Sequence, residues 1–398
     1  MDVKNSFMKF TQGTLINNKP YYGIKFIKKT TYEEIYTDND EIIRNWFNQL
    51  KNYCILTKFR SYFRSKKVIG KGNFAKVFLV ERISDKKEFA VKVFNKKEIM
   101  IDELEKKCLL YEIKMMRMMN HYRVLRMFEL YEGENFIYCL CEFFKGQDLL
   151  QSIIKKGSQP ETKTLTIVQQ ILESLEYLHS KNVIHRDLKP ENIIFKSSDQ
   201  IDIGVVDLGF ATLEQDYGKL FKRCGTPGYV APEILNDKPY NCKADVYSAG
   251  IIFYILLTGK IPFQGTSYRE IVYKNMHALV DFEIPRKMKI SKQTMDLLLK
   301  MLTVDPKKRI SSKQALNHSC FQIMLSKSPL IMKPFFNSKN IVEQQFLTRN
   351  HARREGQKIT QKRPIPNRIE DLSPSPIPSK RKKSPILIKT NLFKHGNY

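Results

Sequence analysis

The chain has 398 residues, enough for a sizeable folded domain with extensions, and its 42% hydrophobic content excludes a wholly disordered protein. The net charge of +27 points either to an anionic partner or to a lysine-rich background composition. Seven cysteines without CxxC or metal-ligand spacing argue against a disulfide or zinc scaffold, and the longest apolar run, within 250–257, is far short of a bilayer span.

Residues 1–64 read as an N-terminal extension. The runs 21–27 and 34–37 look like short strands, and Asp38-Asn39-Asp40 caps a helix carrying Ile42, Ile43, Trp46, Phe47 and Leu50 on its apolar face. Strands followed by a capped helix with a central Trp resemble the end of a pleckstrin-homology domain, a family that buries a Trp at this point. The stretch is too short for the whole domain, so the resemblance implies a truncated or divergent copy, contacting a phosphoinositide or a protein partner or holding the rest of the chain inactive. A helical docking extension packed on a small lobe is the other reading.

Next comes Ile69-Gly70-Lys71-Gly72-Asn73-Phe74-Ala75-Lys76-Val77. Alternating glycines between apolar runs read as a strand-turn-strand whose backbone approaches phosphates closely, although a glycine pair alone suits an ordinary hairpin. Phe89-Ala90-Val91-Lys92-Val93 follows, and a Lys in this VAVK-type context suits a phosphate anchor better than an edge residue. A helix is expected over about 97–120. Glu112 is the candidate partner of Lys92, since Leu109, Ile113 and Met116 bracket it on the buried side, unlike Glu103 and Glu105. Ile137-Tyr138-Cys139-Leu140-Cys141 reads as a strand, and Asp148 as the N-cap of a helix beginning Leu149-Leu150.

His185-Arg186-Asp187-Leu188-Lys189-Pro190-Glu191-Asn192 is the most informative stretch. It puts a carboxylate able to accept a hydroxyl proton, a lysine and a metal-binding amide on one short loop, the set that phosphoryl transfer needs. Downstream stand Asp207-Leu208-Gly209, Cys224-Gly225-Thr226-Pro227-Gly228-Tyr229, Ala231-Pro232-Glu233, Asp245 in Asp245-Val246-Tyr247, and Arg309.

From about 67 to 321 the chain resembles the eukaryotic protein-kinase family, in its serine/threonine branch and close to the calmodulin-dependent and calcium-dependent group. The resemblance implies an α+β, two-lobed fold, with a small β-rich N-lobe bearing one helix and a larger helical C-lobe. It implies a catalytic domain over 65–321; the tail over 322–398, basic and holding Pro and Ser without periodicity, reads as mostly disordered. It implies ATP and Mg²⁺ as cofactors and protein substrates with Ser/Thr acceptors. Asp187, Lys189, Lys92 and Glu112 take the catalytic roles; Asn192 and Asp207 hold metal. Ile69, Gly70, Gly72, Val77, Ala90, Lys92, Glu142, Phe144 and Asp148 bind the nucleotide, with Cys141 as a small gatekeeper. Leu208 replaces the family's Phe, Tyr247 its Trp, and Ala75 its third glycine. Lys189 and Thr226 fit the serine/threonine pattern. Glu191 implies a moderate preference for a basic residue upstream of the acceptor, and Ile255 stands where strongly arginine-selective relatives have an acid.

Between Gly209 and Thr226 only Thr212 and Tyr217 carry hydroxyls, so activation by loop phosphorylation is not expected. No D-x-[DN]-x-[DN]-G loop occurs, hence no intrinsic calcium site is expected, and Pro329 and Pro334 break any amphipathic helix after the domain. The tail holds Ser-Pro pairs at Ser373, Ser375 and Ser384, and the basic run Lys380-Arg381-Lys382-Lys383. With no signal peptide and no glycine for myristoylation, a cytoplasmic monomer is expected, with the nucleus as the alternative. Two other functions stay open: a pseudokinase scaffold, and a lipid- or nucleic-acid-binding protein acting through its basic termini.

Overall fold

One sheet runs through the whole of the first unit. The computed structural model describes residues 6–16, 19–28, 31–72, 75–99, 101–198, 200–216, 218, 223–288 and 290–324. Two compact units divide the chain: the first takes residues up to Asn120 together with 125–143, the second 121–124 and the residues from Phe144 on.

In the first unit, β1 (Phe7–Ile16), β2 (Lys19–Lys28) and β3 (Thr31–Thr37) form an antiparallel meander. α1 (Asp40–Leu50) follows, with Asn39 as N-cap accepting from the N–H groups of Glu41 and Ile42 at 2.9 and 3.2 Å. Then come β4 (Ile55–Leu56), α2 (Phe59–Tyr62), β5 (Phe63–Lys71), β6 (Ala75–Arg82), β7 (Glu88–Asn95), α3 (Lys96–Ile99), α4 (Glu103–Met118), β8 (Met127–Glu132) and β9 (Phe136–Cys141). The nine strands lie in the order β3-β2-β1-β4-β8-β9-β7-β6-β5, with β4 parallel to both β1 and β8.

Alternation gives this sheet two chemistries. Register sets Val77 opposite Lys92 and Ala90 opposite Cys141, on one face. The intervening Val80, Val91 and Leu140 point the other way and join Met8, Ile24, Phe26, Ile43, Leu56 and Phe59 in one apolar cluster. The N-terminal segment is therefore built into the lobe's own core.

Four details differ from the sequence reading. β1 is a strand the pattern did not reveal. The helix expected over 97–120 is two helices, because Asp102 caps α4 by accepting from Leu104 N–H at 2.8 Å. α1 is the helix expected in the N-terminal extension, so the one-turn α2 is a further helix that the pattern did not reveal. Ile43 is buried in α1 and Phe47 and Leu50 are half-buried, but Ile42 is 46% and Trp46 55% exposed. A single sheet covers only the 43/47/50 stripe, and positions 42 and 46 lie roughly 60–100° around the helix from Ile43.

The second unit is mainly helical. α5 (Leu149–Lys156) is capped by Asp148, which accepts from Gln151 N–H at 2.8 Å. α6 (Glu161–Ser180) precedes β10 (Val183–Ile184), the hairpin β11 (Ile193–Phe195) and β12 (Ile203–Val205), and β13 (Thr212–Leu213), which pairs with β10. α7 (Pro232–Leu235) leads to α8 (Lys243–Thr258), buried from Ala244 onward and carrying Ile255. α9 (Tyr268–Met276), α10 (Glu283–Lys287), α11 (Lys292–Met301), α12 (Ser312–Leu316) and α13 (Ser319–Met324) complete it. Among the described residues no helix is long and apolar enough to cross a membrane. The tail with its Ser-Pro pairs and basic run, Asn73, Phe74 and Tyr217 all lie outside the described residues.

Candidate active site

In the first unit the glycine segment is a β5–β6 hairpin closed by Gly72 N–H donating to Ala75 C=O at 2.8 Å, with Gly70 opposite Val77. The ladder skips a residue between Val68 and Gly70, so Ile69 sits at an irregularity that bends the strand. Lys92, on β7, forms an ion pair with Glu112 of α4, which is 4% exposed. Glu112 is buried among Leu109, Ile113 and Met116, the stripe that singled it out. Cys139 and Cys141 lie across from Lys92 and Ala90 and are buried. Glu142 donates its N–H to Arg126 C=O at 2.9 Å.

In the second unit, Phe144 packs its ring over Gly204, where a Cβ would come within 2.4 Å of it. Asp187 and Lys189 form a buried pair, Nζ to Oδ2 at 2.9 Å. Thr226 sits between them: its hydroxyl donates to Asp187 Oδ1 at 2.6 Å and accepts from Lys189 Nζ at 2.9 Å. Burial pushes the Asp187 carboxyl up, against the pull of Lys189 and Thr226. Burial alone would lower Lys189, but the Asp187 and Glu191 carboxylates outweigh it and hold its ammonium up.

The β11–β12 hairpin brings Asn192 and Asp207 together. Ile193 pairs with Val205, and the next rung is Val206 N–H donating to Asn192 C=O at 2.9 Å. Arg186 and Asp207 both adopt left-handed backbone, φ 66° and 63°, a conformation that costs a non-glycine residue energy. Asp245 braces this turn, accepting from His185 N–H at 2.8 Å, Arg186 N–H at 2.9 Å and His179 Nε2 at 3.0 Å. Arg309, 1% exposed, makes a bidentate pair with Glu233 at 2.6 and 3.0 Å, and its other donors reach the carbonyls of Lys243, Thr303 and Val304. Tyr247 lies under that guanidinium, 4.9 Å from the ring centre.

Residues 63–321 match the protein kinase domain family. The chain belongs to the protein kinase family. The kinase is 32% identical over 336 residues to calcium-dependent protein kinase 4 of Plasmodium berghei (strain Anka), across 82% of this chain and 62% of that protein. It is 35% identical over 264 residues to myosin light chain kinase A of Dictyostelium discoideum, across 66% of this chain and 89% of that one. With calcium/calmodulin-dependent protein kinase type 1 of Caenorhabditis elegans it shares 36% over 261 residues, across 65% of this chain and 74% of the relative. The kinase thus spans less than two thirds of the Plasmodium relative's length. Its cofactors, as a protein kinase, are ATP and Mg²⁺.

Asn192 and Asp207 suit Mg²⁺. The Asn192 amide is held by its Nδ2 donating to Asp187 C=O at 2.8 Å, which leaves Oδ1 buried without a hydrogen-bond partner. A buried oxygen acceptor beside a carboxylate is the donor set a hard cation needs. Among the described residues no trio of His, Cys, Asp and Glu gathers to hold a metal alone, in keeping with an ion bound largely by phosphates and water.

Thr226 is the site residue the sequence reading underweighted. Its place in a Gly-Thr-Pro run put it near the acceptor, but only the folded chain sets its hydroxyl between Asp187 and Lys189.

Proposed function

We propose that this kinase transfers a phosphoryl group from ATP to serine and threonine hydroxyls of protein substrates. The observation that carries the reading is the Asp187–Thr226–Lys189 triad, in which a threonine hydroxyl already donates to the carboxylate. A substrate hydroxyl making the same bond would be oriented by Asp187, which takes up its proton at a carboxylate oxygen. Lys189 balances the negative charge that gathers on the moving group, and Lys92, held by Glu112, anchors the nucleotide phosphates. Ile69, Gly70, Gly72, Val77 and Ala90 cover the nucleotide, while Glu142 and Phe144 meet its base and Asp148 its ribose. Asn192 and Asp207 hold Mg²⁺, which neutralises phosphate charge when bound.

Asp148 and Glu191 give a moderate preference for a basic residue before the acceptor; Ile255, buried in α8, adds no acid. We propose a calcium-independent monomer, cytoplasmic or, through Lys380–Lys383, nuclear. The N-terminal segment is proposed to meet a protein partner in preference to a phosphoinositide. Ile42 and Trp46 are exposed, whereas Lys25, Arg44 and Lys51 are already paired with Glu34, Asp40 and Glu129.

The test is phosphate transfer from labelled ATP to basic Ser/Thr peptides, with Mg²⁺ and without calcium. Activity is expected in the parent. Asp187→Asn should lose about 10²–10⁴-fold in kcat while still binding ATP, and Asp207→Ala should be inactive. Equal transfer by parent and Asp187→Asn would overturn the assignment. ATP binding without transfer in any of them favours the scaffold function.

A further inference from the structure

The family match begins at residue 63, yet the helix that carries Glu112 is tied to residues before that point. Arg117, in the last turn of α4, donates from one guanidinium nitrogen to Tyr53 C=O at 2.9 Å and from another to Cys54 C=O at 2.8 Å. Two consecutive carbonyls on one planar fork fix direction as well as distance, which a single point contact cannot do. A cation at this end of a helix also complements the helix dipole.

The carbonyls that Arg117 grips are themselves immobilised. Cys54 is fully buried, and the next two residues are β4, paired in parallel with β8 through Ile55–Leu130 and Leu56–Tyr131. Ile55 N–H also donates to Ser6 C=O at 2.9 Å, and Lys51 pairs with Glu129 of β8 at 3.0 Å. β8 and β7, which carries Lys92, flank β9 in the same sheet. The contact therefore ties α4 to the same sheet that carries Lys92, the residue Glu112 must reach.

We propose that Arg117 is a positioning residue for phosphoryl transfer: it clamps the end of α4 to the N-terminal segment and so holds Glu112 against Lys92. The clamp rests on the reading of Lys92–Glu112 as the phosphate-anchoring pair. Arg117 sits five positions after Glu112, about 7.5 Å along the helix. Loosening that end lets α4 rotate or slide without unfolding the sheet.

Four variants of the full chain test this in the peptide assay: Arg117→Met, Arg117→Lys, Arg44→Met and Glu112→Gln. Arg117→Met keeps the apolar stem but loses both bonds, and its kcat/KM should fall about tenfold, largely through KM for ATP. Arg117→Lys reaches one carbonyl instead of two and should fall between parent and Met, which keeps the test readable if the Met variant folds poorly. Arg44→Met removes an exposed ion pair within α1 that ties neither α4 nor residues 53–56, so its kinetics should match the parent's. Hydrogen exchange of α4 amides around Glu112 should quicken in the Arg117 variants alone. Adding Arg117→Met to Glu112→Gln should cost little more, since both remove one function. Normal kcat/KM in both Arg117 variants beside a crippled Glu112→Gln overturns the clamp and leaves the ion pair's role standing. Full activity of Glu112→Gln overturns the role of the pair and the clamp with it.

Discussion

At the scale of single residues, the chemistry converges on a buried carboxylate flanked by a lysine and a threonine. As the proposed base, Asp187 takes a proton from a substrate hydroxyl only when ionised, so activity should rise as pH passes upward through its pKa. Burial raises that pKa. The acid limb of kcat/KM, which reports the free enzyme, should therefore lie above the ordinary carboxylate value and fall by about tenfold per pH unit below it. A pH–rate profile with its acid limb at or below the value of a solvent-exposed aspartate would contradict this. Lys92, Glu112, Asp187, Asn192 and Asp207 were legible as candidates because each sits in a short local string. The roles of Thr226 and Arg117 were not, because each depends on partners far along the chain. Thr226 lies 39 residues from Asp187, and Arg117 is 63 residues from Cys54.

Among the elements, capped helices and glycine hairpins were readable and short strands were not. Asp38-Asn39-Asp40 announced α1, and the structure selects Asn39 as the cap. Asn39→Ala should cost about 1 kcal/mol, because two N–H groups of the first turn lose their acceptor. Urea unfolding followed by Trp46 fluorescence checks this directly, since the chain's one Trp stands on that helix. An unchanged midpoint would mean that the cap bonds contribute nothing. β1 escaped notice because its apolar residues fall at 7, 8, 10, 15 and 16, which matches no strict alternation. The break between α3 and α4 was hidden for a different reason: the stretch holds no Gly or Pro, and the capping aspartate stands among other charged side chains.

For the molecule as a whole, the largest departure from the reading by resemblance concerns residues 6–62. They resemble an appendage in sequence, yet they supply four strands of a nine-stranded sheet and much of its apolar cluster. Burying Met8, Ile24, Phe26, Ile43, Leu56 and Phe59 contributes on the order of 10 kcal/mol before the entropy of ordering them is subtracted. That is comparable with the whole net stability of a typical domain. Deleting residues 1–62 should therefore leave β8 with a bare edge and a protein that is aggregated or readily proteolysed. Thermal unfolding and limited proteolysis of the truncated chain would show it; a truncated protein as stable as the parent would reduce the segment to a removable attachment.

The sequence alone determined the family and singled out the candidate residues for the proposed chemistry. Catalytic loops are contiguous strings whose residue types are dictated by the atoms they must present, so they stay readable without a fold. The tertiary structure alone decided that the N-terminal segment belongs to the small lobe's core, that Trp46 faces outward, and that Arg117 ties α4 to that segment. Strand order and which helix stripe is covered depend on long-range pairing, and an apolar pattern does not record which surface it will meet.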